Sequence, residues 1–270
     1  MKNILITVTG IVVFTQVSFA QLRPGEVGYD ASVERLYASL GIRQINTFQT
    51  NPEFGNEEFL YTISVLNAEG KITEEKFPSL ESYFSTDDEG FGDDSSFIMY
   101  EYLPSGMIAH ITSLGFDLET EETYFSYDAN GKLNEKTAGG AEARRYTFTY
   151  DDNGNIIKAN GQTPIYTDGS NGYVDISRWK DIDYYTYKWN DKNQLVESQF
   201  FYNGSFYSKT NYTYENSRLS GFKIFTDQKS KTPDSVFTLT YNTDGTLNKM
   251  TVISNYSNSR VEYRCTYDKY

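Results

Sequence analysis

The chain has 270 residues, with 37 acidic against 24 basic side chains, a net charge of −13 at pH 7 and a single histidine. A surface of that sign repels nucleic-acid phosphates and anionic lipid. With Cys265 as the only cysteine, no intrachain disulfide can form, and stability has to come from packing, for which 24 Tyr and 18 Phe supply the bulk.

The first twenty residues carry the three parts of a secretory signal: Lys2, an apolar run from Ile4 to Phe14, and Ser18-Phe19-Ala20 with small residues for cleavage before Gln21. No later stretch approaches the roughly 18 uninterrupted apolar residues of a membrane-spanning helix. No cysteine follows the cleavage site to take a lipid anchor. The expectation is an exported protein, periplasmic or extracellular, that is not a lipoprotein and has no transmembrane span.

Residues 21–58 read as an N-terminal cap and a lead-in strand. Asp30 suits the start of a helix over residues 31–40 and Gly41 its end, with Val33, Leu36, Tyr37 and Leu40 on one face. That face is assigned to covering the edge of the first strand.

From residue 59 to residue 270 the sequence repeats itself about every 25 residues, with two long insertions. Each copy ends a strand on an anchor: Tyr102, Tyr127, Tyr150, Trp189, Tyr214, Tyr241 and Tyr267, with Leu66 as a degenerate first copy. Apolar residues two and four places upstream, such as Tyr146 and Phe148 or Phe237 and Leu239, alternate with Thr and Lys, the period of a half-buried strand. Downstream, Asp128, Asp151 and Asn242 open type I turns that Gly131, Gly154 and Gly245 close at positive φ, Asn193 standing in for glycine in its copy. Six residues past the anchor an aliphatic returns: Ile72, Ile108, Leu133, Ile156, Leu195 and Leu247. Tyr214 to Leu219 is one residue shorter and calls for a tighter turn through Asn216.

Tyr127-Asp128-Ala129-Asn130-Gly131-Lys132-Leu133 and Tyr150-Asp151-Asp152-Asn153-Gly154-Asn155-Ile156 resemble the YD repeat of Rhs and teneurin-type proteins, over about Phe59 to Tyr270. In large members of that family the repeats wind into a β-shell. This chain is too short for such a shell and is more similar to small exported YD-repeat proteins of the bacterial envelope. The resemblance implies an architecture and no activity.

The fold class expected is all-β: repeated antiparallel hairpins forming a curved sheet or partial β-solenoid, with a short N-terminal capping helix. The aromatic anchors would form one stripe, buried if the sheet curls and exposed if it stays open. The insertions are the natural places for a site. Tyr166 and Tyr173, with Trp179 beyond them, are candidate stacking groups for a sugar ring. Asp87, Asp88, Glu89, Asp93 and Asp94 offer oxygen ligands of the kind Ca2+ takes, without the spacing of a known calcium loop; otherwise no cofactor is expected. His110 falls where other copies carry Glu or Lys, a solvent-facing place that argues against catalysis. The register of Cys265 puts its thiol in the core.

The reading that follows is a non-enzymatic binding or structural module of the cell envelope or surface, whose partner is an envelope protein or a surface glycan and not nucleic acid. A carbohydrate-binding module using exposed Tyr and Trp is the alternative. A glycoside hydrolase with paired carboxylates has the least support.

Overall fold

The computed structural model describes residues 24, 26–52, 55–78, 96–115, 120–139, 143–165 and 178–270. One helix, α1 (Ser32–Leu40), is followed by sixteen strands. They are β1 (Ile42–Thr50), β2 (Glu58–Leu66), β3 (Ile72–Phe77), β4 (Ser96–Tyr102), β5 (Ile108–Leu114), β6 (Thr120–Tyr127), β7 (Leu133–Ala138) and β8 (Arg144–Tyr150). After these come β9 (Ile156–Pro164), β10 (Trp179–Trp189), β11 (Leu195–Tyr202), β12 (Ser205–Glu215), β13 (Arg218–Phe225), β14 (Ser235–Tyr241), β15 (Leu247–Ser254) and β16 (Ser259–Lys269).

Every strand pairs antiparallel with its neighbours in sequence, and β1 pairs with β16, from Ile42 opposite Lys269 to Thr50 opposite Glu262. The sheet is therefore a closed sixteen-stranded barrel. This overturns the curved sheet or partial solenoid that the repeats and the YD resemblance implied. An open array leaves two strand edges unpaired, and here the last strand saturates the first. The helix consequently has no edge to cover.

The hairpin chemistry follows the sequence. Gly70, Gly106, Gly131, Gly154 and Gly245 have positive φ, Asn193 takes φ 56°, and the shorter copy turns through Asn216 and Ser217 at φ 50° and 68°. Asp128 Oδ1 accepts the N–H groups of Asn130 (2.8 Å) and Lys132 (2.9 Å), and Asn190 does the same for Lys192 and Gln194. Each such turn is followed by a bulge that sets the anchor opposite the aliphatic, as with Tyr102 and Ile108 or Tyr241 and Leu247.

The anchors have a second role that their spacing did not disclose. Their side chains face the barrel interior, and each polar tip donates to the backbone carbonyl of the aliphatic in the preceding hairpin. Tyr102 reaches Ile72 O (2.7 Å), Tyr127 reaches Ile108 O (2.8 Å) and Tyr150 reaches Leu133 O (2.6 Å). Trp189 Nε1 reaches Ile156 O (2.8 Å), and Tyr214, Tyr241 and Tyr267 reach Leu195, Leu219 and Leu247 at 3.0, 2.7 and 2.6 Å. The cause is the stagger of the barrel. The β5–β6 ladder stops at His110 opposite Tyr124, and the β15–β16 ladder at Lys249 opposite Arg264, so the carbonyl two residues further on has lost its strand partner. The ring of anchors supplies the missing donors. Near the seam, Tyr270 does the same for Leu66 O at 3.0 Å.

Helix α1 lies across this ring. Val33 and Tyr37 are buried with Ile42, Ile45, Leu66, Leu239, Met250 and Tyr263, and the Tyr37 ring sits 6.1 Å from that of Tyr267. Gly41 ends the helix at φ 64°, while Asp30 accepts the Ser32 N–H at 2.9 Å from just before the cap position, Ala31. Gly70 has φ +77°, and a Cβ there would collide with the Glu34 carbonyl and crowd Ala38 N at 2.7 Å, so the helix backbone rests directly on the β2–β3 turn. Cys265 is inward and buried as its register implied, and burial pushes its thiol up to about 11.

Replacing Tyr241 or Tyr267 by Phe removes only a donor and should cost about 1 kcal/mol per site. Denaturant unfolding measures this, and the same change at exposed Tyr256 should cost nothing measurable. Gly204, at φ +75° with open space around it, provides the control for Gly70. Gly204→Ala should cost about 1 to 2 kcal/mol of backbone strain. Gly70→Ala should cost more and should also strip hydrogen-exchange protection from residues 33–40; equal costs would refute the docking of α1 on that turn.

Candidate ligand-binding site

Strand register assigns every side chain to one face of the wall. The outward rows carry Lys188, Glu197, Gln199, Lys209, Asn211, Thr213 and Lys223 on one side of the barrel and Thr238, Thr240, Lys249, Thr251, Glu262 and Arg264 on the other. Ion pairs cross between outward neighbours: Lys188 with Glu197 at 2.6 Å, Lys249 with Glu262 at 3.4 Å, and Arg264 with Glu58 at 2.7 Å. The inward rows are mainly aromatic and aliphatic, with buried Thr47, Thr62, Ser64 and Glu75 among them, and the outward rows also hold Phe48, Leu60, Tyr184, Phe201 and Phe225. A lipid-facing wall is apolar, and the ion-paired parts of this outer face are not.

The interior divides in two. Around β13 to β2, under α1, it is filled: Phe237, Val252, Val261 and Tyr263 are each no more than 5 % exposed. Across β6 to β12 it is not. One inward row there runs through Phe125, Lys136, Tyr146, Gly161, Asp183 and Tyr202. The next holds Phe148, Ala159, Tyr185, Phe200 and Ser208, followed by Tyr187, Ser198 and Thr210. Tyr185 stacks on Phe200 with ring centroids 4.5 Å apart and lies 6.2 Å from Tyr187. Tyr146, Phe148, Tyr185, Tyr187, Phe200 and Tyr212 keep partial accessible surface although they point into the barrel, unlike the inward residues under α1.

Polar groups are set into this aromatic wall. Asp183 is buried, 3.6 Å from Arg144, and its Oδ1 has no hydrogen-bond partner among the described residues. Burial raises its carboxyl above the usual range, against the pull of Arg144. Gly161 leaves room for the Asp183 carboxylate: a Cβ there would displace that group and crowd the Tyr146 ring. Desolvation holds the Lys136 ammonium below the usual lysine range, against the pull of Glu26, and its Nζ lies 5.6 Å from the Phe125 ring centroid. Tyr146 is pushed up to about 12 by desolvation and then by Asp183, and Tyr187 well above its ordinary value by burial and then by Tyr185. On β3, Glu75 is fully buried and accepts from Tyr100 at 2.6 Å and Ser64 at 3.4 Å.

At the turn end a cavity of about 520 Å³ opens between the lead into α1 (Gly28, Tyr29, Val33) and the anchors Trp189, Tyr214 and Tyr241. Pro24 is buried. Glu26 acts electrostatically on Lys136, Tyr185, Tyr187 and Tyr212, all inward-facing.

Tyr166 and Tyr173 lie outside the described residues, as do Asp87, Asp88, Glu89, Asp93 and Asp94. Trp179 begins β10 on the outer face, opposite Pro164, with the Arg145 guanidinium 4.7 Å over its ring. Among the described residues no group of three or more His, Cys, Asp or Glu could hold a metal ion. His110 faces outward, stacked on Tyr124 at 4.5 Å, in contact with Glu122 and 3.6 Å from Glu101. Sequence reading missed the lumen residues Lys136, Arg144 and Asp183. A signal was available, since all three break the aromatic period on the face that the anchors define.

No family model matches the chain, and no curated protein matches it. Among solved structures it is similar to a porin-like protein from Bacteroides uniformis ATCC 8492, with a TM-score of 0.51 at 10 % identity over 84 % of this chain and 98 % of the other. A porin-like protein from Bacteroides vulgatus ATCC 8482 gives 0.42 at 13 % identity over 85 % and 99 %; the TcdB2-TccC3-TEV structure gives 0.31 at 18 % over 73 % of this chain and 10 % of that one. The first of these likenesses is one of fold alone, and the other two carry no weight. The YD-repeat assignment is thereby corrected: the Tyr-Asp-x-x-Gly unit recurs because each hairpin of a staggered barrel needs the same turn and the same inward donor. The chain is a β-barrel protein.

Proposed function

We propose that the protein is an exported, water-soluble barrel without enzymatic activity, which holds an amphipathic small molecule in its tyrosine-lined lumen. The carrying observation is charge on the outer face over an aromatic inner wall. Lys249, Glu262 and Arg264 lie outward within β15 and β16, where hydrocarbon would penalise a Lys or Arg by about 2 to 4 kcal/mol near the bilayer midplane. Inside, Tyr146, Tyr185, Tyr187 and Phe200 offer an apolar wall with hydroxyls at intervals, the composition of a pocket for a ligand that is partly polar. The N-terminal secretory pattern supports export, to the periplasm or the exterior. Of the groups expected to stack on a sugar, Trp179 has the Arg145 guanidinium over one face of its ring, and Tyr166 and Tyr173 lie outside the described residues.

The test uses the purified exported protein in detergent-free buffer, with the neutral probe N-phenyl-1-naphthylamine. A monodisperse species with saturable fluorescence enhancement, and no association with phosphatidylcholine vesicles, is the expected result. A requirement for detergent, together with ion conductance after vesicle insertion, would replace this reading by that of a membrane pore.

A further inference from the structure

Within the lumen reading, on which this inference rests, Lys136 stands apart from the other charged groups. Arg144 has Asp183 at 3.6 Å, whereas the Lys136 ammonium has no hydrogen-bond or ion-pair partner at contact distance among the described residues. It sits between Phe125 on β6 and Tyr146 on β8, on the inward row that borders the open part of the lumen. A lysine in such a place loses hydration without gaining a counter-ion in contact, a cost that a bound anion would remove. Aromatic rings surround it, so an inorganic ion would fill the charge site and leave the wall bare. An acid with an apolar body would satisfy both.

The N-terminal lead supports the same assignment. Glu26, two residues after buried Pro24, is the carboxylate whose field reaches Lys136, and the same group reaches inward-facing Tyr185, Tyr187 and Tyr212. The chain thus brings one of its own carboxylates, on a short strap with Val27 and Tyr29 behind it, toward the lone cation. We infer that the lumen receives an amphipathic carboxylic acid whose head group is held by Lys136, and that Glu26 of the lead competes with it for that place.

Displacement of N-phenyl-1-naphthylamine by dodecanoate and by dodecan-1-ol separates this inference from the reading beneath it. The wild-type protein should bind the acid about tenfold more tightly than the alcohol, the ratio that one charge-assisted contact provides. Lys136→Met should lose that preference while its affinity for the alcohol stays within about twofold, and Lys136→Arg should retain it. Glu26→Gln should strengthen dodecanoate binding alone. An unchanged acid preference in a folded Lys136→Met protein, or equal binding of acid and alcohol by the wild type, would overturn the assignment with the lumen reading intact. If neither compound displaces the probe, the lumen reading itself falls, and this inference with it.

Discussion

A ring hydroxyl or indole N–H that reaches back to the carbonyl of the preceding hairpin is the contact on which this barrel depends. Closing sixteen strands requires them to tilt and slip past one another, and the slip leaves a row of carbonyls beyond the end of each inter-hairpin ladder. Facing the interior, those carbonyls have no strand to meet. The anchors from Tyr102 to Tyr267 answer each in turn, with 2.6 to 3.0 Å bonds that join neighbouring hairpins at one rim. The rim is thereby stiff enough to seat α1, and α1 in turn dries the half of the interior that Phe237, Val252 and Tyr263 fill. The other half keeps its aromatic wall without a filler.

That division explains why a single wall pattern serves two purposes. Under the helix, inward Leu239, Met250 and Val261 meet one another and the Tyr37 side chain. Opposite, larger inward rings on β8, β10 and β11 keep part of their surface accessible, and ionisable groups lie among them: Lys136, Arg144 and Asp183. Buried charge is costly wherever it is placed; Glu75 on β3 is a further case, and the gathering of three such groups on β7, β8 and β10 supports the reading of this half as the working part.

Much of the local structure was legible. The turns at Gly131, Gly154 and Gly245, the left-handed Asn193, the tight turn at Asn216, the helix up to Gly41 and the inward register of Cys265 all follow from residue chemistry within a few positions. Closure was not legible, because the alternation of a strand buried on one face is identical in an open sheet and in a barrel, and the deciding pairs, such as Asn46 with Asp268, lie 222 residues apart. One clue went unread. Every anchor that staples a hairpin is Tyr or Trp and none is Phe, although Phe is common at other inward positions; a core needs only the ring, and a donor at the tip implies an acceptor waiting. The lumen was illegible for a related reason. Lys136 and Asp183 look like ordinary strand polar residues until the register assigns them to the inner face.

The seam between β1 and β16 also sets an order of events. Among the described strands the first, β1, pairs with the last, β16, so the barrel cannot close until β16 arrives. Through that interval β1 is an exposed edge, and the inward aromatic face of each finished hairpin meets water instead of a neighbour across the lumen. Partly made chains of this kind join one another readily. A barrel sealed by its two ends is therefore stable once complete and vulnerable until then, which makes the holding factors of the compartment where it closes as important to its yield as any residue in its wall.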